Sequence, residues 1–171
     1  NMYPKGSNTI VELSKHALSL AENNFKLNDF SFSSHWGGFF LEESGTYKNK
    51  ENDIDFDRSL EPDSYVIRDL EGSAVGKELD FDTVIEYDFI DMMHLDIQGS
   101  EVPLLKNLSE NGRLENIDMM VIATHSTQAD ELVDKIVNDH KYHKMLTVPF
   151  RGDPQNLAYA SDGHHIIKRI A

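Results

Sequence analysis

The alternation of short apolar segments with segments of helical period constrains the fold of this chain more than any other feature. The strand-like segment TIVEL (9–13) precedes a helix pattern that begins at Ser14, a good N-cap. The apolar segments FIDMMHLDI (89–97) and IDMMVIAT (117–124) are each followed by another helix pattern. Apolar strands that alternate with helices form mostly parallel sheets with helices on both faces. The pattern therefore predicts an α/β fold.

The end of the chain departs from this alternation. The segments KMLTVPF (144–150) and HHIIKRI (164–170) are strand-like, and no helix pattern separates them. We therefore predict an antiparallel hairpin at the C-terminal edge of the sheet. The preceding helices are predicted to begin at about Ser100 and at a capping Thr127. The packing face of the first of these helices is predicted to comprise Val102, Leu105 and Leu108.

Residues 37–82 differ in kind from the rest of the chain. They are polar, acidic and punctuated by glycine and proline, which predicts an irregular insertion with room for a hairpin. The sequence shows no internal repeat and no second apolar core. We therefore expect residues 1–171 to form a single domain.

The charge excludes several classes of partner. Thirty acidic residues against sixteen basic ones give a formal net charge of −14, which repels phosphate backbones and anionic membranes. Cysteine is absent, so disulfides and thiolate metal sites are excluded. No apolar run approaches the roughly 18 residues that span a bilayer. These observations predict a cytoplasmic protein with a small-molecule or glycan partner rather than a nucleic acid or a membrane.

Three polar side chains follow predicted strands at the edge of an α/β sheet where ligands collect: Glu12, Asp96 and His125. A structural explanation stays open for each of them. Glu12 fits a solvated strand end, and Asp96 fits a cap on the turn that leads to Ser100. His125 fits a hydrogen-bonded core histidine.

The turn after Asp96 contains a glycine, which the sharp change of chain direction explains. Gly99 permits a sharp change from strand to helix, and the new helix presents free amides at the sheet edge. Glu101 favours the helix start. An acid of segment 151–165 could join Asp96 and His125 around a metal, but we predict a site without one. We interpret DGHH (162–165) as a surface turn and Trp36 as a loop anchor.

Three segments, in order, carry a resemblance to a known family. IDMMHLDIQGSEVPLLKNL (90–108) resembles the signature segment of the FkbM-type methyltransferases: a buried strand, Asp-Ile/Val-Glu/Gln-Gly-Ala/Ser-Glu, then a helix. TIVELSKHALSLAENNFKLNDF (9–30) is similar to the second strand and helix of that family. MMVIATHS (119–126) is similar to the strand that follows the signature, which often ends Thr-His-Ser.

The resemblance implies a class I, Rossmann-like fold that uses S-adenosyl-L-methionine to methylate hydroxyls of sugars or natural products. Glu12 then matches the acid that binds the ribose hydroxyls of the cofactor. Asp96 matches the acid that ends the fourth strand, near the methyl donor and acceptor, and Gly99 belongs to the same cofactor-binding turn. His125 matches by position. We infer that His125 removes the proton of the nucleophile and that Asp96, a catalytic carboxylate near the sulfonium, adds electrostatic stabilisation.

One element of that family has no counterpart in the sequence. The first strand and its glycine-rich loop do not precede Thr9, and GxGxxG does not occur. Three explanations stay open: an upstream segment completes the sheet, TIVEL pairs directly with MMHLDI, or a second chain inserts the strand, as in a homo-oligomer. The alternative function is a non-catalytic methyltransferase-like remnant that binds a ligand or a partner. A hydrolase or sugar-binding module ranks lower, because GxSxG is absent.

Overall fold

A computed structural model describes residues 6–12, 15–39, 56–61, 64–69, 72–77, 79–85, 87–97, 100–151 and 162–170. Contacts divide the chain into two compact units. The first comprises Asn1–Lys48 with Ile54–Glu86, and the second comprises Asn49–Asp53 with Tyr87–Ala171. The expectation of a single domain stays a prediction.

The first unit begins with a parallel β–α–β arrangement. Strand β1 (Asn8–Glu12) leads into helix α1 (Lys15–Leu27), which returns the chain to strand β2 (Phe32–Trp36). The two strands pair in parallel over their full length. Phe25 of α1 packs edge-on against Phe32, with ring centroids 5.4 Å apart. Apolar periodicity does not predict β2, because its sequence FSSHW is largely polar.

The acidic middle segment contains more regular structure than the sequence predicts. Strands β3 (Phe56–Glu61), β4 (Ser64–Asp69) and β5 (Gly72–Lys77) form an antiparallel three-stranded sheet. Two residues separate each strand from the next, and connections this short join only antiparallel neighbours. The short helix α2 (Phe81–Val84) follows, capped by the side chain of Asp80. The predicted hairpin is therefore part of a larger meander.

The second unit is a four-stranded mixed sheet with two helices. Its elements are β6 (Ile90–Leu95), α3 (Glu101–Glu110), β7 (Ile117–Thr124), α4 (Thr127–Asp139), β8 (Tyr142–Val148) and β9 (Gly163–Arg169). The strand order is β6-β7-β9-β8. Strands β6 and β7 are parallel, whereas β9 is antiparallel to both of its neighbours. Strand β8 therefore runs in the direction of β7, with β9 inserted between them.

The structure is α/β, but its sheets are small and mixed rather than mostly parallel. The prediction of a mostly parallel sheet is wrong for the described strands, for two physical reasons. The middle segment forms short-connected antiparallel strands, and β9 follows β8 without an intervening α-helix among the described residues. The predicted antiparallel pair at the C-terminal edge is present as β8 and β9.

Helices α3 and α4 supply most of the second unit's core together with β7. The side chains that are fully buried there include Leu104, Leu105, Leu108, Ile117, Met120, Ile122, Val133 and Ile136. Each stabilises the fold by about 1.5–3 kcal/mol through the burial of apolar surface. The predicted face of α3 is confirmed, since Val102, Leu105 and Leu108 are all buried. This core fixes the positions at which β6 and β7 end.

The cap of α4 differs from the prediction by one residue. Ser126, not Thr127, is the N-cap, because its backbone is extended and its side chain accepts a hydrogen bond from the amide of Ala129. A serine oxygen in this place satisfies one of the unpaired donors of the first turn. The helix start directly follows His125, so the cap also fixes the chain beside that histidine.

Candidate functional site

The candidate site lies where the parallel strands β6 and β7 end. Asp96 directly follows β6, and His125 directly follows β7. Parallel neighbours end at the same edge of a sheet, so the two side chains meet. Nε2 of His125 lies 3.4 Å from Oδ1 of Asp96. The structure thus brings together the two residues that the sequence proposes for catalysis.

The other ring nitrogen of His125 is held by a buried glutamate. Oε1 of Glu101, the first residue of α3, lies 2.8 Å from Nδ1 of His125. The same oxygen accepts a hydrogen bond from the amide of Ile97 at 3.1 Å. Glu101 is 0% exposed. A carboxylate is only an acceptor, and the contact of Nδ1 with Glu101 is shorter than that of Nε2 with Asp96. We therefore assign the proton of the neutral ring to Nδ1, which makes Nε2 the proton acceptor.

A third carboxylate faces the outer nitrogen. Asp162 lies just before β9, with its Oδ1 3.8 Å from Nε2 of His125. The side chains of Asp96 and Asp162 are 51% and 53% exposed, whereas the histidine itself is buried. His125 therefore faces the fully buried Glu101 at Nδ1 and two half-exposed carboxylates at Nε2.

These neighbours change the protonation of His125. Burial by itself lowers the pKa of the ring, because it disfavours the charged form. The hydrogen bond and charge of Glu101, with the charges of Asp162 and Asp96, outweigh burial and raise the pKa above its ordinary 6.5. The ring therefore keeps its second proton to a higher pH than a free histidine does.

Sequence reasoning missed Glu101 as a member of this site and named Asp162 only as one of the acids of segment 151–165 that could join Asp96 and His125. A signal for Glu101 is nevertheless present, since it precedes Leu105 and Leu108 by four and seven residues and shares their buried face. A carboxylate on an apolar helix face needs a partner, which predicts a buried pair. Which acid of segment 151–165 lies there is decided by the fold, because the pairing of β9 with β7 brings Asp162 to the end of β7.

The remaining predicted site residues lie elsewhere or outside the described residues. Glu12 is the last residue of β1 in the first unit, and its carbonyl accepts a hydrogen bond from Gly37 at 3.1 Å. Its place beside Asp96 stays a prediction. Gly99 lies outside the described residues. Trp36 ends β2 rather than anchoring a loop, and the ammonium of Lys15 lies 3.9 Å from its ring centroid.

The part of the chain that the structure describes contains no group of three or more acidic or histidine side chains arranged to hold a metal ion. No helix in that part is both long and apolar enough to cross a membrane. Comparison with known proteins finds no matching family model, curated protein or solved structure. The geometry of the glutamate–histidine pair therefore carries the functional argument.

Proposed function

We propose that this chain is an FkbM-type, class I methyltransferase domain that transfers a methyl group from S-adenosyl-L-methionine to a hydroxyl of a sugar or small natural product. One observation carries the proposal. His125 is held through Nδ1 by the buried Glu101, while its Nε2 is turned towards Asp96 at the ends of two parallel strands. Methylation of a hydroxyl needs an aligned oxygen and a base that takes its proton.

The strand pairings support a Rossmann-like arrangement. In doubly wound sheets the strand order is 3-2-1-4-5-6. Under the resemblance, β1 and β2 correspond to strands two and three, and β6 and β7 to strands four and five. The observed parallel pairs β1–β2 and β6–β7 are the two pairs that this order requires on either side of strand one. Strand β8 is reached through α4 and runs parallel to β7, as strand six would, but the antiparallel strand β9 lies between β7 and β8 and has no counterpart in that order.

The chemistry of the site follows from its proton acceptor. When bound, S-adenosyl-L-methionine supplies an electrophilic methyl group on a positively charged sulfur. Nε2 of His125 would take the proton of the acceptor hydroxyl, and the cofactor would give up its methyl group to that oxygen and leave as S-adenosylhomocysteine. Glu101 stabilises the resulting imidazolium without moving, because it already faces Nδ1. Asp96 adds a negative charge beside Nε2, where positive charge has to be accommodated.

The chain's carboxylates also fit the cofactor that the resemblance implies. Glu12 is a half-buried acid at the end of a parallel strand, and a carboxylate can accept hydrogen bonds from both ribose hydroxyls. Asp96 has the half-exposed position required of an acid beside a bound ligand. The resemblance assigns Gly99 to the same binding turn. The acidic surroundings of Nε2 disfavour an acceptor with phosphate groups and favour a neutral, hydroxylated one.

Titration calorimetry of S-adenosylmethionine and S-adenosylhomocysteine tests the binding half of the proposal. We expect Glu12→Ala to weaken binding about tenfold or more, the size expected for hydrogen bonds to a charged group. Glu131→Ala is the matched control, because it removes an exposed acid from α4. A folded chain that binds neither compound would contradict the proposal and favour the non-catalytic alternative.

Transfer of labelled methyl groups to saccharides and hydroxylated extracts tests the catalytic half. We expect His125→Asn to lower transfer at least about 100-fold, the range of general-base catalysis. The affinity for S-adenosylhomocysteine should change little in this variant. A chain that binds the cofactor but transfers nothing would retain the binding assignment and refute the catalytic one.

A further inference from the structure

We infer that Asp130 is a positioning residue for His125: its carboxylate ties together the ends of the strands that carry His125 and Asp162. This inference rests on the proposed function for its chemistry, but its geometry is independent of it. Asp130 lies in the first turn of α4, and its hydrogen bonds go to Thr124, Phe150 and His165. Its effect on the site is therefore exerted through the backbone on which the reacting groups are mounted.

The carboxylate of Asp130 collects donors from three separate parts of the second unit. Oδ1 accepts a hydrogen bond from Oγ1 of Thr124 at 2.5 Å and lies 2.8 Å from Nε2 of His165. Oδ2 accepts from the backbone amide of Phe150 at 2.7 Å. These donors belong to the end of β7, to β9 and to the segment after β8. We refer to Asp130, Thr124, His165 and the Phe150 amide as the Asp130 cluster.

Gly163 shows how closely the two strands approach at the Asp130 cluster. It pairs with Thr124 in the antiparallel ladder of β7 and β9. A Cβ atom at Gly163 would lie 2.1 Å from Oγ1 of Thr124, 2.7 Å from the Phe150 nitrogen and 2.9 Å from Oδ1 of Asp130. All three atoms belong to the Asp130 cluster, so no side chain fits at Gly163. The cluster therefore packs directly against the β9 backbone beside Asp162.

Two residues at the Asp130 cluster are sequence neighbours of residues in the candidate site. Thr124 precedes His125, and Gly163 follows Asp162. Thr124 is buried and the Asp130 side chain is only 16% exposed, so their hydrogen bonds are sheltered from water. Fixing Thr124 against Gly163 therefore fixes His125 against Asp162, whose nearest charged atoms are 3.8 Å apart. Coulomb interactions vary steeply at such distances.

The protonation of His125 measured by NMR titration reports this positioning. The groups that face the ring are Glu101 of α3, Asp96 after β6 and Asp162 before β9. Asp130→Asn leaves all three unchanged but places an amide donor against one of the existing donors, which forces the strand ends apart. We expect the pKa of His125 to fall by about half a pH unit as the acids move away.

Asp134→Asn is the matched control. It removes the same charge from the same helix, one turn on, where Asp134 pairs with Lys144 and is half-exposed. We expect the His125 titration to stay at its wild-type position in this variant. Equal titrations in folded Asp130→Asn and wild type would overturn the inference, and so would equal shifts in the two variants, which would indicate a general charge effect.

Thr124→Val is used if Asp130→Asn does not fold, because valine keeps the shape of threonine and removes a single donor. A lowered pKa of His125 supports the inference, and a titration identical to that of the wild type refutes it. Neither measurement involves S-adenosylmethionine. If the protein does not bind or use S-adenosylmethionine but the His125 titration shifts in the variant, the proposed function fails and the positioning role of Asp130 stands.

Discussion

Two buried histidines in the second unit are built on the same plan and differ in one respect. His125 lies 2.8 Å from Glu101, and His165 lies 2.8 Å from Asp130. Each carboxylate belongs to the first turn of a helix, α3 or α4. The outer nitrogen of His125 faces half-exposed acids. The outer nitrogen of His165, Nδ1, is buried without a hydrogen-bond partner in the described part of the chain.

Pairing with a buried carboxylate therefore does not by itself distinguish a reacting histidine from a structural one. Both carboxylates lie against a ring nitrogen, but only the second nitrogen of His125 lies close to acids that are themselves half-exposed. A histidine that takes a proton from a substrate needs one ring nitrogen held by the protein and the other within reach of the substrate. Four substitutions and titrations test this distinction.

Loss of the Asp130 carboxylate should have the largest effect. Asp130→Ala leaves the Thr124 hydroxyl, the Phe150 amide and the His165 ring without their acceptor. We expect the free energy of unfolding to fall by about 3 kcal/mol, within the range for breaking a buried network. Denaturant unfolding measures this, with Asp134→Ala as control at below about 1 kcal/mol for an exposed ion pair. If Asp130→Ala and Asp134→Ala lowered the free energy of unfolding equally, the Asp130 cluster would contribute no more than an exposed ion pair.

Removal of the Glu101 charge should reverse the protonation of His125. In Glu101→Gln a side-chain oxygen can still accept from both Ile97 and His125, so the hydrogen bonds stay and the charge goes. Burial then dominates, and we expect the pKa of His125 to fall below its ordinary 6.5. Histidine NMR titration measures it. A pKa that remains raised would mean that the exposed acids, not the buried one, control the ring.

The raised pKa of His125 makes stability depend on pH in a definite direction. The folded state binds this proton more tightly than the unfolded state, so the stabilisation is fully present below pH 6.5. It is lost as pH rises through the folded-state pKa. Urea unfolding between pH 6 and 9 should show this decline in wild type, and His125→Gln should flatten it. A free energy of unfolding that rises between pH 6 and 9 in the wild type but not in His125→Gln would contradict the raised pKa of His125.

The exposed acids should have the smallest effects. We expect Asp96→Asn and Asp162→Asn each to lower the pKa of His125, because each removes a charge that favours the protonated ring. Each change should be smaller than that of Glu101→Gln, since solvent screens half-exposed groups. The same NMR titration measures both variants. If either aspartate variant lowered the pKa of His125 more than Glu101→Gln does, the half-exposed acids rather than the buried one would control the ring.

The strands and helices of the second unit follow closely from local pattern. The apolar run IDMMVIAT becomes β7 without adjustment, and the end of β6 places Asp96 where the sequence predicts. Strand β2 is not predicted, because its polar sequence gains a strand structure from pairing with β1. Tertiary pairing of this kind overrides local preference.

The site was predictable only in its outline. Asp96 and His125 follow from strand ends, which are local features of the chain. Glu101 is a helix-start residue by sequence, and its burial against His125 depends on how α3 packs. Asp162 and the Asp130 cluster depend on β9 inserting antiparallel beside β7, a long-range event that no short pattern encodes.

The protonation state of each ring nitrogen in the two histidines tests the central claim most directly. Long-range proton–nitrogen NMR at a pH where both rings are neutral distinguishes the tautomers. We predict that His125 carries its proton on Nδ1, facing Glu101, and that His165 carries it on Nε2, facing Asp130. His125 protonated on Nε2 would contradict the account, because no acceptor for a substrate proton would then face the half-exposed acids.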